Sequence, residues 1–252
     1  MSAILETREL RKAFGGHVVL DDVRLAFPAR RLSSLIGPNG AGKTTCFNLL
    51  TGFLAPDRGR ILFKGQDVTA LPPDRRARLG ISRSFQVLNL FDDCTVLENV
   101  RVAVPAMRRR GFDCWTPASA MREAEDRAAR IIRLIGLAGR EHVEARFLSY
   151  GQRRLLEIGL ALAGEPELLL LDEPTSGLGS RPMETLRDLV ARLAEEVTLV
   201  VIEHDMDFVL SLSHHVAVLH RGTVIAEGPP AAIRDHPEVR EAYLGRHRAT
   251  AS

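Results

Sequence analysis

Gly37-Pro38-Asn39-Gly40-Ala41-Gly42-Lys43-Thr44 stands between the apolar run Leu32 to Ile36 and the stretch Thr45-Cys46-Phe47-Asn48-Leu49-Leu50. The eight residues fit G-x-x-x-x-G-K-[ST], with a strand expected before them and a helix after them, which is the context that pattern needs. Glycines let consecutive backbone amides converge on phosphate oxygens, and the start of the helix adds partial positive charge. Lys43 is long enough to reach terminal phosphates, and the Thr44 hydroxyl can ligate magnesium. The spacing therefore predicts a strand, phosphate cradle and helix within a parallel α/β core. Gly37, Pro38, Asn39, Gly40, Ala41, Gly42, Lys43, Thr44 and Thr45 are the candidate residues around a bound nucleotide.

Two further strand ends carry chemistry. Leu168-Leu169-Leu170-Leu171 runs into Asp172-Glu173-Pro174, and Val197 to Ile202 runs into Glu203-His204-Asp205. Ligands of open parallel sheets bind at the carboxyl ends of the strands. Alone, an acidic pair after a strand is usually a solvated turn, and a histidine there usually a capping residue. With a phosphate cradle upstream, Asp172 is expected to hold magnesium through water and Glu173 to act as general base. His204 is expected to contact the terminal phosphate.

Composition bounds the rest. The 252 residues are 45% hydrophobic and 26% charged, ordinary for a globular chain. Thirty-four basic residues nearly balance 32 acidic ones for a net charge of +2, so no global field selects nucleic acid as a partner. The longest apolar stretches fall well short of the ~18 residues needed to cross a bilayer. The start Met1-Ser2-Ala3-Ile4-Leu5-Glu6 has no secretory pattern, so a cytosolic location is expected. Cys46, Cys94 and Cys114 are too few and too widely spaced for a disulfide framework or zinc cluster, and are read as reduced thiols.

The segment up to about Phe63 is strand-rich, with alternating apolar positions in Val18 to Leu20 and Val23 to Phe27. Ala124, Ala128, Ile131, Ile132 and Ile135 mark one face of an amphipathic helix ending near Gly136. Pro182, Met183, Leu186, Leu189, Val190 and Leu193 mark a second helix, and Val216 to Leu219 a further strand. Alternation of strand and helix implies a largely parallel sheet. Val104 to Pro117, with Arg108-Arg109-Arg110, is expected to be a surface loop whose arginines form a solvated charge run.

Leu148-Ser149-Tyr150-Gly151-Gln152, between the cradle and the acidic pair, resembles the LSGGQ signature of ABC ATPases, with Tyr150 in place of a glycine. Together with Gly37 to Thr44, Gln86 in Ser84-Phe85-Gln86, Leu168 to Glu173 and His204, the resemblance runs almost end to end. It implies two such domains sandwiching two ATP molecules, with Ser149, Gly151 and Gln152 of one facing the nucleotide of the other. It further implies that Phe14 stacks on adenine and that Gln86 joins Thr44 and Asp172 around Mg2+ and takes part in hydrolysis beside Glu173 and His204. The expected fold is an ABC cassette: a parallel-sheet core, an antiparallel β layer, and a helical subdomain at residues 88–160 between core segments 1–87 and 161–252.

Arg83-Ser84-Phe85-Gln86, the run Leu90 to Val100 and the tail Ile233 to Gly245 resemble ATPase subunits of branched-chain amino acid importers. That branch implies permease subunits, a second homologous ATPase subunit or a second copy, and a periplasmic binding protein acting indirectly. The place of work is then the cytoplasmic face of the membrane. Lipopolysaccharide-type and urea or amide transport ATPases share parts of the pattern, and a soluble non-transport ABC protein is the alternative from another class. Gly179 departs from the aspartate or asparagine that the family carries there.

Overall fold

The computed structural model describes residues 3–84, 90–104 and 118–244. An antiparallel sheet in the order β2-β1-β4-β5 comprises β1 (Ala3–Phe14), β2 (His17–Pro28), β4 (Arg58–Phe63) and β5 (Gln66–Asp67). Val18 to Leu20 and Val23 to Phe27 belong to the single strand β2. Asp22 between them, at φ 47, and Glu9 opposite, at φ 53, sit where the β1–β2 register slips. These are bulges that bend a long hairpin over the core.

The second sheet runs β10-β9-β3-β8-β7-β6, with β3 (Leu32–Ile36), β6 (Ile81–Arg83), β7 (Leu168–Asp172), β8 (Thr198–Ile202), β9 (His215–His220) and β10 (Thr223–Gly228). All its pairings are parallel except the closing β9–β10 hairpin. The expected parallel core and antiparallel layer are both present.

Every residue of β3, β7 and β8 is buried, because the sheet is covered on both faces. Side chains alternate between two cores. Leu169, Leu171, Leu199 and Val201 pack with Ala128, Ile132, Leu156, Ile158, Leu186 and Leu193 from helices Ala118–Leu134, Tyr150–Ala163 and Ser180–Glu196. Leu168, Leu170, Val200 and Ile202 pack with Phe47, Leu49 and Leu50 of helix Lys43–Thr51 and with Leu5, Leu25 and Phe27 of the antiparallel sheet. Fully burying each leucine contributes about 2 kcal/mol.

The middle of the chain is helical among its described residues. Thr95 opens helix Val96–Ala103 with a reciprocal capping box to Glu98. The face expected from Ala124 to Ile135 is buried, and the helix stops before Gly136, whose φ of 76 suits a helix end. Helix Tyr150–Ala163 crosses the expected 160/161 junction, and the same apolar core joins it to the sheet. Arg108, Arg109, Arg110 and Cys114 lie outside the described residues, whereas Cys46 and Cys94 are free thiols.

Candidate nucleotide site

Parallel pairing sets Leu35 opposite Ile202, and Ile202 opposite Asp172. One row across β3, β8 and β7 thus ends at the phosphate loop, at Glu203-His204 and at Asp172-Glu173. Backbone shape makes the loop. Gly37 at φ 156 passes so close to β9 that a Cβ would lie 2.0 Å from the Leu219 carbonyl oxygen. Gly42 at φ 102 caps helix Lys43–Thr51, and a Cβ there would meet Leu20 at 2.7 Å. Any larger residue at either position would push the loop off the sheet. Buried Lys43 donates to the carbonyls of Gly37 (2.7 Å) and Pro38 (3.1 Å), so its ammonium lies within the turn of the loop. Thr44 is exposed, and Thr45 and Asn39 lie at or near the surface.

Asp172 is 2% exposed, and its Oδ2 accepts from Arg83 Nη2 at 2.6 Å. Arg83 also donates to Asn48 Oδ1 (2.6 Å) and Thr51 Oγ1 (3.3 Å), and its guanidinium lies over the rings of Phe47 and Phe53, 5.7 and 5.8 Å from their centres. Glu173 adopts φ 44, a left-handed conformation costing roughly 1–2 kcal/mol that ends the strand's alternation at the carboxylate pair. Its amide donates to Ile202 O at 3.0 Å. Arg154 holds the same turn from the opposite side, donating to the carbonyls of Asp172 (2.6 Å) and Glu173 (3.1 Å) while pairing with buried Glu157 at 2.6 Å.

At the end of β8, Glu203 is 0% exposed and accepts from the Thr175 amide (2.9 Å) and hydroxyl (2.6 Å). Its other oxygen accepts from the His204 amide at 3.1 Å. The His204 ring is exposed, with Nδ1 3.8 Å from Glu203 Oε2. The loop after the acidic pair and the turn bearing His204 are thereby joined through one carboxylate.

Ser149 and Gln152 form a capping box at the start of helix Tyr150–Ala163. Gly151 packs so tightly on Pro182 that a Cβ would lie 2.9 Å from it. Tyr150 lies over Gly177 and donates to Ser176 O at 3.3 Å, so the substituted signature position braces the loop behind Glu173. Phe14 is half exposed beside the Gly15-Gly16 turn, with Lys12 Nζ 5.4 Å from its ring centre. Gln86 lies outside the described residues.

The fold thus gathers the phosphate loop, Asp172, Glu173 and His204 at one sheet edge, with Ser149 to Gln152 on a neighbouring helix start and Phe14 on the antiparallel sheet. Arg154 and Glu203, which secure this arrangement, carry no motif along the chain. The charged pair Arg154 and Glu157, spaced i, i+3 in the otherwise apolar run Arg154 to Ala163, is the one local signal of that site. Nothing local distinguished Glu203 from a strand-end carboxylate. A cleft of about 1230 Å³ is lined in part by Phe53, Arg83, Phe91, Asn99 and Val102. Phe53, Phe91 and Val102 are at least half exposed. No described helix is long and apolar enough to cross a membrane.

Residues 20–176 match the ABC transporter family, and residues 223–249 match the branched-chain amino acid ATP-binding cassette transporter family. The chain is 41% identical to the high-affinity branched-chain amino acid transport ATP-binding protein LivG of Escherichia coli, covering 96% of this chain and 98% of that protein. It is 32% identical to the lipopolysaccharide export system ATP-binding protein LptB of Acidithiobacillus ferridurans, covering 97% and 98%. The ADP conformation of MJ1267, an ATP-binding cassette of an ABC transporter, superposes with a TM-score of 0.84 at 31% identity over 97% of this chain and all of that one.

Proposed function

The chain belongs to the ABC transporter family of ATP-binding proteins, and from that premise we propose that it hydrolyses ATP to drive import of branched-chain amino acids or similar small solutes. The observation that carries the reading is the row Leu35–Ile202–Asp172, which brings a phosphate loop, a carboxylate pair and a histidine to one sheet edge. The match of the tail to the branched-chain cassette family supports the choice of branch.

In this reading Phe14 stacks on adenine, the amides of Gly37 to Thr45 surround the phosphates, and Lys43 reaches the terminal one. Glu173 takes a proton from the attacking water and His204 orients it against the terminal phosphate. Gln86 contributes to the same centre. Ser149, Gly151 and Gln152 serve the nucleotide of a second cassette, since the positive end of a helix suits an anion. Thr44 and Asp172 are hard oxygen donors of the kind magnesium takes alongside phosphates and water, so the residues fit it. When bound, Mg2+ neutralises charge on the transferring phosphoryl group. The capping and packing found for Ser149, Gly151 and Gln152 keep that helix start rigid.

The helical segment 88–160 is the arm that meets a permease, and the apolar rim of Phe53, Phe91 and Val102 supports that side of the cleft as its seat. A related ATPase subunit or a second copy completes the sandwich on the cytoplasmic face, and the periplasmic binding protein acts through the permeases. Co-expression with the neighbouring permeases and reconstitution into vesicles tests this. ATP-dependent leucine uptake that drops ~100-fold or more with Glu173→Gln is the expected result. Uptake at the parental rate from that variant would place the base elsewhere.

A further inference from the structure

Arg83 takes no part in the hydrolytic scheme, yet it is the counter-charge of the carboxylate assigned to the metal. Its side chain is 9% exposed and that of Asp172 is 2% exposed, with 2.6 Å between the paired atoms. The guanidinium cannot easily withdraw. Its second arm is tied to Asn48 and Thr51 on the helix that follows the phosphate loop, and the rings of Phe47 and Phe53 lie 5.7 and 5.8 Å from its centre. A planar fork can hold an acid, an amide and two ring faces together, which a lysine ammonium cannot do with one geometry.

We infer that Arg83 is a resident counter-cation that weakens the hold of Asp172 on a divalent ion. The inference rests on the reading of Asp172 as the metal-holding carboxylate. Two cations then share one buried carboxylate, and their mutual repulsion is screened less there than in water. Charge already neutralised by the guanidinium draws a second cation less strongly. A moderated hold suits a site that must release metal and product nucleotide in every cycle.

The test follows binding, with no turnover. A fluorescent ADP is titrated onto the purified chain in EDTA and at increasing Mg2+, for the parental protein and for Arg83→Gln, Arg83→Met and Arg83→Lys. The Mg2+ concentration giving half of the metal-dependent gain in affinity is expected to fall roughly tenfold in the Gln and Met variants and to stay near parental in the Lys variant. ADP affinity in EDTA should remain within about twofold throughout, since the charge acts on the metal. If Arg83→Met does not fold, by circular dichroism, Arg83→Gln carries the comparison, because its amide keeps a donor for Asp172. An unchanged or raised Mg2+ midpoint in the neutral variants overturns the inference. A parental chain whose ADP affinity ignores Mg2+ altogether overturns the reading of Asp172 itself, so the two failures are distinguishable.

Discussion

Glu203 accepts both the amide and the hydroxyl hydrogen of Thr175, at 2.9 and 2.6 Å, from a position with no solvent exposure. Thr175 is itself buried, so Glu203→Ala strands both Thr175 donors, and the His204 amide with them, at a cost of about 2–3 kcal/mol. It also cuts the link between the loop after Glu173 and the turn of His204. The expected outcome is a lowered urea midpoint and a roughly tenfold slower single turnover, with ATP affinity nearly unchanged. Glu203→Gln, which keeps an acceptor oxygen, should recover part of the rate. Parental turnover in the alanine variant would show that the link is not needed.

Arg154 combines two roles that a double substitution separates. Arg154→Ala removes the guanidinium facing buried Glu157 and should destabilise the fold by about 3–5 kcal/mol. Arg154→Met with Glu157→Leu removes both charges and should regain most of that loss. Turnover should stay low in the double variant, because the turn of Asp172 and Glu173 still lacks the guanidinium that bridges their two carbonyls. Denaturation curves and ATPase rates on the same preparations check this, and normal rates in a stable double variant would refute it.

Arg76 is 1% exposed and donates to four backbone carbonyls, Leu49 and Leu50 (both 2.7 Å), Thr69 (2.9 Å) and Leu71 (3.0 Å). Burial lowers its pKa to about 10, which leaves it charged at neutral pH. It closes the carboxyl end of the helix that begins at the phosphate loop, where a cation is favourable. Arg76→Met should cost about 3 kcal/mol or more and weaken ATP binding a few-fold as that helix end frays. A melting temperature equal to the parent's would rule this out.

Gly179 caps helix Ser180–Glu196 at φ −76 without a side-chain bond, and a Cβ there would meet nothing within 4 Å. Gly179→Asp should therefore fit without strain and stabilise the isolated chain by only a few tenths of a kcal/mol. Any larger effect must act across the dimer. The steady-state ATPase of the assembled transporter is expected to gain cooperativity in ATP. An unchanged Hill coefficient would show that this position does not couple the sites.

Cys46 is wholly buried, and desolvation pushes its thiol pKa up to about 12. The thiolate is the reactive form. Iodoacetamide at pH 8 should therefore leave Cys46 unlabelled in the folded chain and label it in urea, as read by peptide mass mapping. Labelling of the native protein would mean that the core beneath the phosphate loop opens readily.

The phosphate loop, the acidic pair, the histidine turn and the strand and helix alternation were legible along the chain, because each is written in neighbouring residues. Gly37 and Gly42 permit backbone shapes at their own positions, and the leucines of β7 report a strand buried on both faces whatever lies against them. What secures the site was not legible. Arg83 meets Asp172 across 89 residues, Glu203 meets Thr175 across 28, and Arg154 meets Asp172 across 18. Such pairs are decided by which strands become neighbours and in what register, and no local periodicity carries that information. From residue types alone, an arginine in a three-residue strand or a glutamate at a strand end is a surface charge. Only the assembled sheet, covered by helices on one face and by helix Lys43–Thr51 with the antiparallel layer on the other, removes water from these groups and makes each the necessary partner of the next.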